Sequence, residues 1–140
     1  MNTQDARVLA LELVDRSKIA FLSTIDELGF PNIKAMLNLY HDKLEIVCFS
    51  TNTSSKRIKQ ILGNNKASVY YCDDEKFIGL LLVGKVEVVR DEEMRKKLWF
   101  EGSEIFYPLG IDDPDYSVLK FTTERCDLYN GAEIIQFSLE

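Results

Sequence analysis

Strand-like runs in this chain come in pairs joined by turns of a few residues, and that pairing constrains the fold more than any other feature. Residues 17–25 have strand composition, Asp26-Glu27-Leu28-Gly29 supplies a turn, and residues 32–40 form a second run in which polar and apolar positions partly alternate. His41-Asp42 is expected to turn the chain into a third strand over 43–49. Residues 67–72 and 77–90 flank the turn Asp73-Asp74-Glu75-Lys76, and 116–129 and 134–139 flank Asn130-Gly131, a strong hairpin signal. Gly84, in the middle of the longest run, marks a bulge or sharp bend of the kind barrel strands require. Hairpins in this number, without strict alternation of strand and helix, predict an α+β, mainly β fold: an antiparallel barrel, closed or partly closed, with flanking helices.

The helices have their own signatures. Ala6, Leu9, Ala10, Leu13 and Val14 recur at helical spacing near the start, giving an amphipathic helix over 3–15. Asp91 is placed to cap a charged helix over 92–100. Between the third and fourth strand runs, Phe49-Ser50-Thr51-Asn52-Thr53-Ser54-Ser55-Lys56-Arg57 stops a β-like run and opens a helix over 53–62, which Gly63-Asn64-Asn65 ends. At such a junction a hydroxyl or amide can cap the helix while the remaining first-turn N–H groups, the positive end of the dipole and two cations stay available to a phosphate. Strand, polar turn and capped helix also occur together with no ligand, the cations lying on a solvated face. Both readings stand on local pattern.

Composition narrows the partners. With 17 basic against 23 acidic side chains, a net charge of -6, the average field repels nucleic acid and anionic membrane. Hydrophobic residues at 46% of 140 suit one folded domain over 1–140, large enough to bury a core without metal or disulfide staples. Cys48, Cys72 and Cys126 are odd in number and far apart, and read as buried free thiols in a reducing cytoplasm. No leader-like start and no apolar stretch of membrane-spanning length is evident. His41 beside Asp42 reads as turn polarity, and Asp112, Asp113 and Asp115 form an acidic loop for which no metal is expected. No Ser/His/Asp or Cys/His arrangement, carboxylate pair or glycine-rich dinucleotide fingerprint is evident.

From about Ile19 to Gly131 the ordering resembles the flavin-binding split-barrel proteins related to pyridoxamine 5′-phosphate oxidase, in particular their small general stress protein branch. The carrying residues are Leu22-Ser23-Thr24 with Gly29-Phe30-Pro31, Lys34-Ala35-Met36, the 49–57 stretch, Asn64 with Ala67-Ser68-Val69, Gly84-Lys85-Val86-Glu87-Val88, and Asp113-Pro114-Asp115-Tyr116 before Leu119-Lys120-Phe121. The resemblance implies a six-stranded antiparallel Greek-key split barrel and a homodimer with flavin mononucleotide (FMN) in a groove at the dimer interface. It carries the phosphate-binding role to Ser50, Thr51, Ser55, Lys56 and Arg57, with the two cations in reversed order, and the isoalloxazine-lining role to Lys34, Ala35, Met36 and Leu37. Trp99, with Phe100, Phe106 and Tyr107, either closes that site from the partner subunit or packs as a core or interface aromatic.

Leu39 stands where the oxidase has a lysine for its substrate phosphate, and the chain ends at Glu140 without the oxidase's terminal Arg and His motif. Pyridoxamine-phosphate oxidase activity is therefore not expected. What the resemblance implies is an FMN-dependent oxidoreductase with an unknown small substrate and electron donor. The alternatives are a flavin-binding stress protein that never turns over, or a barrel that has taken haem or a deazaflavin.

Overall fold

The computed structural model describes residues 1–139 and forms one eight-stranded sheet in the order β2-β1-β5-β6-β7-β4-β3, with β8 also paired to β7. Its strands are β1 (Ile19–Ile25), β2 (Pro31–Leu37), β3 (Tyr40–Asp42), β4 (Ile46–Asn52), β5 (Lys66–Asp73), β6 (Ile78–Val89), β7 (Tyr116–Asn130) and β8 (Glu133–Ser138), and every pairing is antiparallel. The mainly β, split-barrel expectation holds, but with eight strands rather than six. The extra pieces arise where the chain bends: Asn38-Leu39 break the predicted 32–40 run, so that His41 and Asp42 lie in the short β3 and the turn falls at 43–45.

β7 organises the sheet. Its first half pairs with β4 from Tyr116 to Thr122 and its second half with β8 from Arg125 to Asn130, while β6 runs along its opposite edge. The β6–β7 register shifts between Val83 and Gly84, as the glycine suggested, and there the Gly84 backbone lies so close to the Thr122 carbonyl that no Cβ would fit. That bend lets one pair of strands serve two directions of sheet.

Alternation puts Ala20, Leu22, Val69, Tyr71, Leu80, Leu82, Leu119, Phe121 and Leu128 inside, all at most 1% exposed. α1 (Thr3–Arg16) buries Ala6, Ala10, Leu13 and Val14 in this core, and α2 (Lys56–Gly63) adds Ile58 and Ile61. α3 (Glu92–Leu98), capped by the Asp91 carboxylate on the Met94 N–H at 3.1 Å, closes a second cluster of Cys48, Leu98, Tyr107, Tyr116 and Val118. On β6, Leu80 and Leu82 are buried while Leu81 and Val83 are partly exposed. Cys48 and Cys126 are buried as expected, but Cys72 is exposed, because β5 turns it outward between the buried Tyr71 and the turn. No helix among the described residues is long and apolar enough to cross a membrane.

Candidate functional site

Two strand edges and one helix end make the site. β2 pairs with β1 alone, and β3 covers β4 only from Ile46 to Cys48, so β2 and the stretch from Phe49 to Asn52 each present an edge without a strand partner. Curling of the sheet brings β2 alongside β4. The split in the barrel therefore has Lys34, Ala35, Met36 and Leu37 on one bank and Ser50 and Thr51 on the other. Unpaired edge N–H and C=O groups are what a flat heteroaromatic ring with donors and acceptors needs. On β2, Met36 is 6% exposed and faces inward with its partner Ala20; Lys34, paired with Leu22, shares that strand face but is exposed, whereas Ala35 and Leu37 lie on the outer face opposite Phe21 and Ile19.

The helix end departs from expectation in two respects: α2 starts at Lys56 and not at Thr53, since residues 53–55 are held in a turn by Asp115, and its cap is not made. Ser55 is the N-cap of α2 by backbone conformation, but its hydroxyl caps nothing and instead meets the Thr51 hydroxyl at 3.2 Å. The first-turn N–H groups thus keep their hydrogen-bonding capacity at the positive end of the helix. Lys56 and Arg57 straddle that end and look different ways. Lys56 is exposed and borders a cavity; Arg57 is half-buried toward Tyr107. The Arg57 Nε is fully buried with no hydrogen-bond partner among the described residues, and burial lowers the guanidinium pKa from its ordinary value, opposed by nearby Tyr107. A buried unpaired N–H costs about 1–3 kcal/mol, a cost an anion lodged here would relieve. Arg95 also leaves a buried Nε, but its Nη1 donates to the Ile111 carbonyl.

Asp115 holds this loop in shape, a role its sequence position did not disclose. Its carboxylate accepts from the Asn52 amide at 2.8 Å, the Ser54 N–H at 2.8 Å and the Ser54 hydroxyl at 3.2 Å, and its carbonyl from the Thr53 N–H at 2.7 Å. Those bonds, the Asn52 amide foremost, hold the Asp115 carboxyl below its ordinary value. Asp113 accepts from the Leu109 and Asp115 N–H groups. The acidic loop is thus a clamp on backbone, and among the described residues no group of three potential ligands is placed to hold a metal. The Asp-Pro-Asp spelling was the available signal.

Trp99 lies within an aromatic cluster of this same chain, its ring centroid 5.5 Å from that of Tyr116 and 6.2 Å from that of Tyr107. Tyr107 connects that cluster to Arg57. His41 is engaged at both ring nitrogens, Nδ1 with the Lys43 carbonyl at 3.0 Å and Nε2 with Asp15 at 3.0 Å. Leu39 packs against the second core cluster.

A curled antiparallel sheet split between β2 and β4, with the start of α2 in the split, defines the split-barrel class of folds. The chain belongs to the pyridoxamine 5′-phosphate oxidase family, whose profile matches residues 9–130. It is 27% identical over 143 residues to general stress protein 26 of Bacillus subtilis, across 100% of this chain and 99% of that one. A Clostridium acetobutylicum crystal structure, described as related to that stress protein and to the pyridoxinephosphate oxidase family, is 44% identical. It superposes with a TM-score of 0.88, covering 99% of this chain and 97% of that one. A heme binding protein from Mycobacterium smegmatis shares the fold at a TM-score of 0.77 and 14% identity, covering 95% of this chain and 57% of its own.

Proposed function

We propose that this protein is an FMN-binding oxidoreductase acting on a small molecule, with the cofactor held where two copies meet. The buried, unpartnered Arg57 Nε beside an uncapped helix end carries the reading, because an anion lodged there would supply the acceptor this donor lacks. In this arrangement Lys56, Arg57, Thr51, Ser55 and the α2 N–H groups hold the phosphate, and the β2 edge from Lys34 to Leu37 lines the ring. Flavin brings its own redox chemistry, so the chain's task is to bind, orient and tune it. Leu39, packed in apolar surroundings, offers no charge to a substrate phosphate, which favours a substrate other than pyridoxamine phosphate. Half-exposed Phe21, Leu37, Leu81 and Val83 on the outer sheet face support pairing of two copies.

Purified protein should be yellow, sediment at twice 16.1 kDa, and bleach when reduced nicotinamide is added without oxygen. A chromophore that stays yellow under every reduced donor identifies a flavin-binding stress protein without turnover. A Soret band in place of flavin absorbance overturns the cofactor assignment, a result His41, with both nitrogens engaged, argues against.

A further inference from the structure

Gly79 leaves a hollow in the outer face of the sheet. It pairs with Cys72 on β5 and Tyr129 on β7, and the next residues on that face, Tyr70 and Leu81, pair with each other. With no side chain at Gly79, the Tyr70 ring leans diagonally into the gap, its hydroxyl lying where a Cβ at Gly79 would stand. The turn from Asp74 to Phe77 closes one end, and the resulting cavity measures about 520 Å³, within the roughly 300–1,000 Å³ of small-molecule sites. None of its lining residues belongs to the proposed flavin site.

Phe77 is held out of the core at a conformational cost. Its backbone lies in the left-handed region at φ 53°, which an aromatic residue rarely adopts, and the residue is 75% exposed. The Gly131 N–H donates to its carbonyl at 3.1 Å, so the β7–β8 turn fixes that backbone. Three aromatic rings, those of Tyr70, Phe77 and Tyr129, thus line one cavity. Burial foremost, then Cys72 and Tyr129, raises the Tyr70 phenol above its ordinary value, so that ring is uncharged at neutral pH. The negative faces of such rings attract cations. Among the described residues, the charged side chains of the lining are Asp73 and Asp74 alone; Lys76, in the same turn, does not line it. Asp73 is spent, with Oδ2 accepting from Arg16 at 3.0 Å and Oδ1 from the Glu75 and Lys76 N–H groups. Asp74 is exposed and belongs to no ion pair among the described residues.

We infer that this hollow binds a flat aromatic cation, its ring against Tyr70, Phe77 and Tyr129 and its charge balanced by Asp74. The inference does not depend on the flavin reading. Isothermal titration calorimetry of the full-length protein tests it, with berberine, a flat isoquinolinium cation, set against 1-anilinonaphthalene-8-sulfonate, an aromatic anion. Berberine should bind at one site per chain and at least about tenfold more tightly than the anion, and saturating FMN should leave its affinity unchanged. Tyr129→Ala should weaken berberine by about tenfold. Asp74→Lys, a change in an exposed turn that leaves the core untouched, should weaken berberine to a similar degree and narrow its lead over the anion. Absence of berberine binding overturns the inference, including the case in which a second copy seated on Leu81 covers the hollow. So do equal affinities for cation and anion, displacement of berberine by FMN, and an Asp74→Lys variant that binds berberine as wild type does.

Discussion

At the scale of single residues, the site is a matter of hydrogen-bond accounting. Lys56 and Arg57 are adjacent in sequence yet face different surroundings, one solvent and cavity, the other Tyr107. Only the second carries a desolvated unpaired N–H. Replacing both with Ala should weaken FMN binding by several kcal/mol at most, since charge-assisted hydrogen bonds contribute about 1.5–3 kcal/mol each. The fold should survive, because removing Arg57 also removes an unsatisfied buried group. Unchanged FMN affinity in a fluorescence titration would place the phosphate elsewhere. Arg57 alone should account for the larger share.

At the scale of elements, two glycines separate backbone necessity from mere tolerance. Gly84 sits at the β6–β7 register shift, where an added Cβ would be driven against the Thr122 carbonyl. Backbone cannot yield as a flexible side chain can. Gly84→Ala should therefore cost about 1–3 kcal/mol or more in urea unfolding, the usual range for overpacking. At Gly63, the end of α2, an added Cβ would meet nothing within 4 Å, and the backbone lies outside the left-handed region. Gly63→Ala should stabilise by about 0.4–1 kcal/mol. Equal effects at the two positions would mean that the bulge is not a real constraint on β6.

For the whole molecule, burial of titratable groups sets the alkaline limit of stability. Burial pushes the Cys48 thiol up to about 11 and the Cys126 thiol to about 12, against 9.0 when hydrated, and raises the Tyr71 phenol as well. These groups hold their protons more tightly folded than unfolded, so their contribution is complete below pH 9.0 and is lost as pH rises toward 11 to 12. The urea midpoint should fall over that window, and the fall should be shallower in a Cys48→Ala, Cys126→Ala variant. A midpoint that stays level to pH 11 would show these thiols to be hydrated.

Order and type of the elements follow from the residues alone, because turns, caps and side-chain periods are local: Asn130-Gly131 closes β7 onto β8, Asp91 caps α3, and Gly84 bends β6. So does the concentration of hydroxyls and cations at the β4–α2 junction. Strand count was less legible, since breaks such as Asn38-Leu39 depend on how the sheet curls. The site itself belongs to tertiary structure. Asp115 grips Asn52 across 63 positions only because β7 pairs with β4 in one register, and that same pairing leaves β4 a free edge for β2 to face. Long-range register decides which backbone groups stay unpaired, and no local pattern can encode a partner that distance and folding alone bring near.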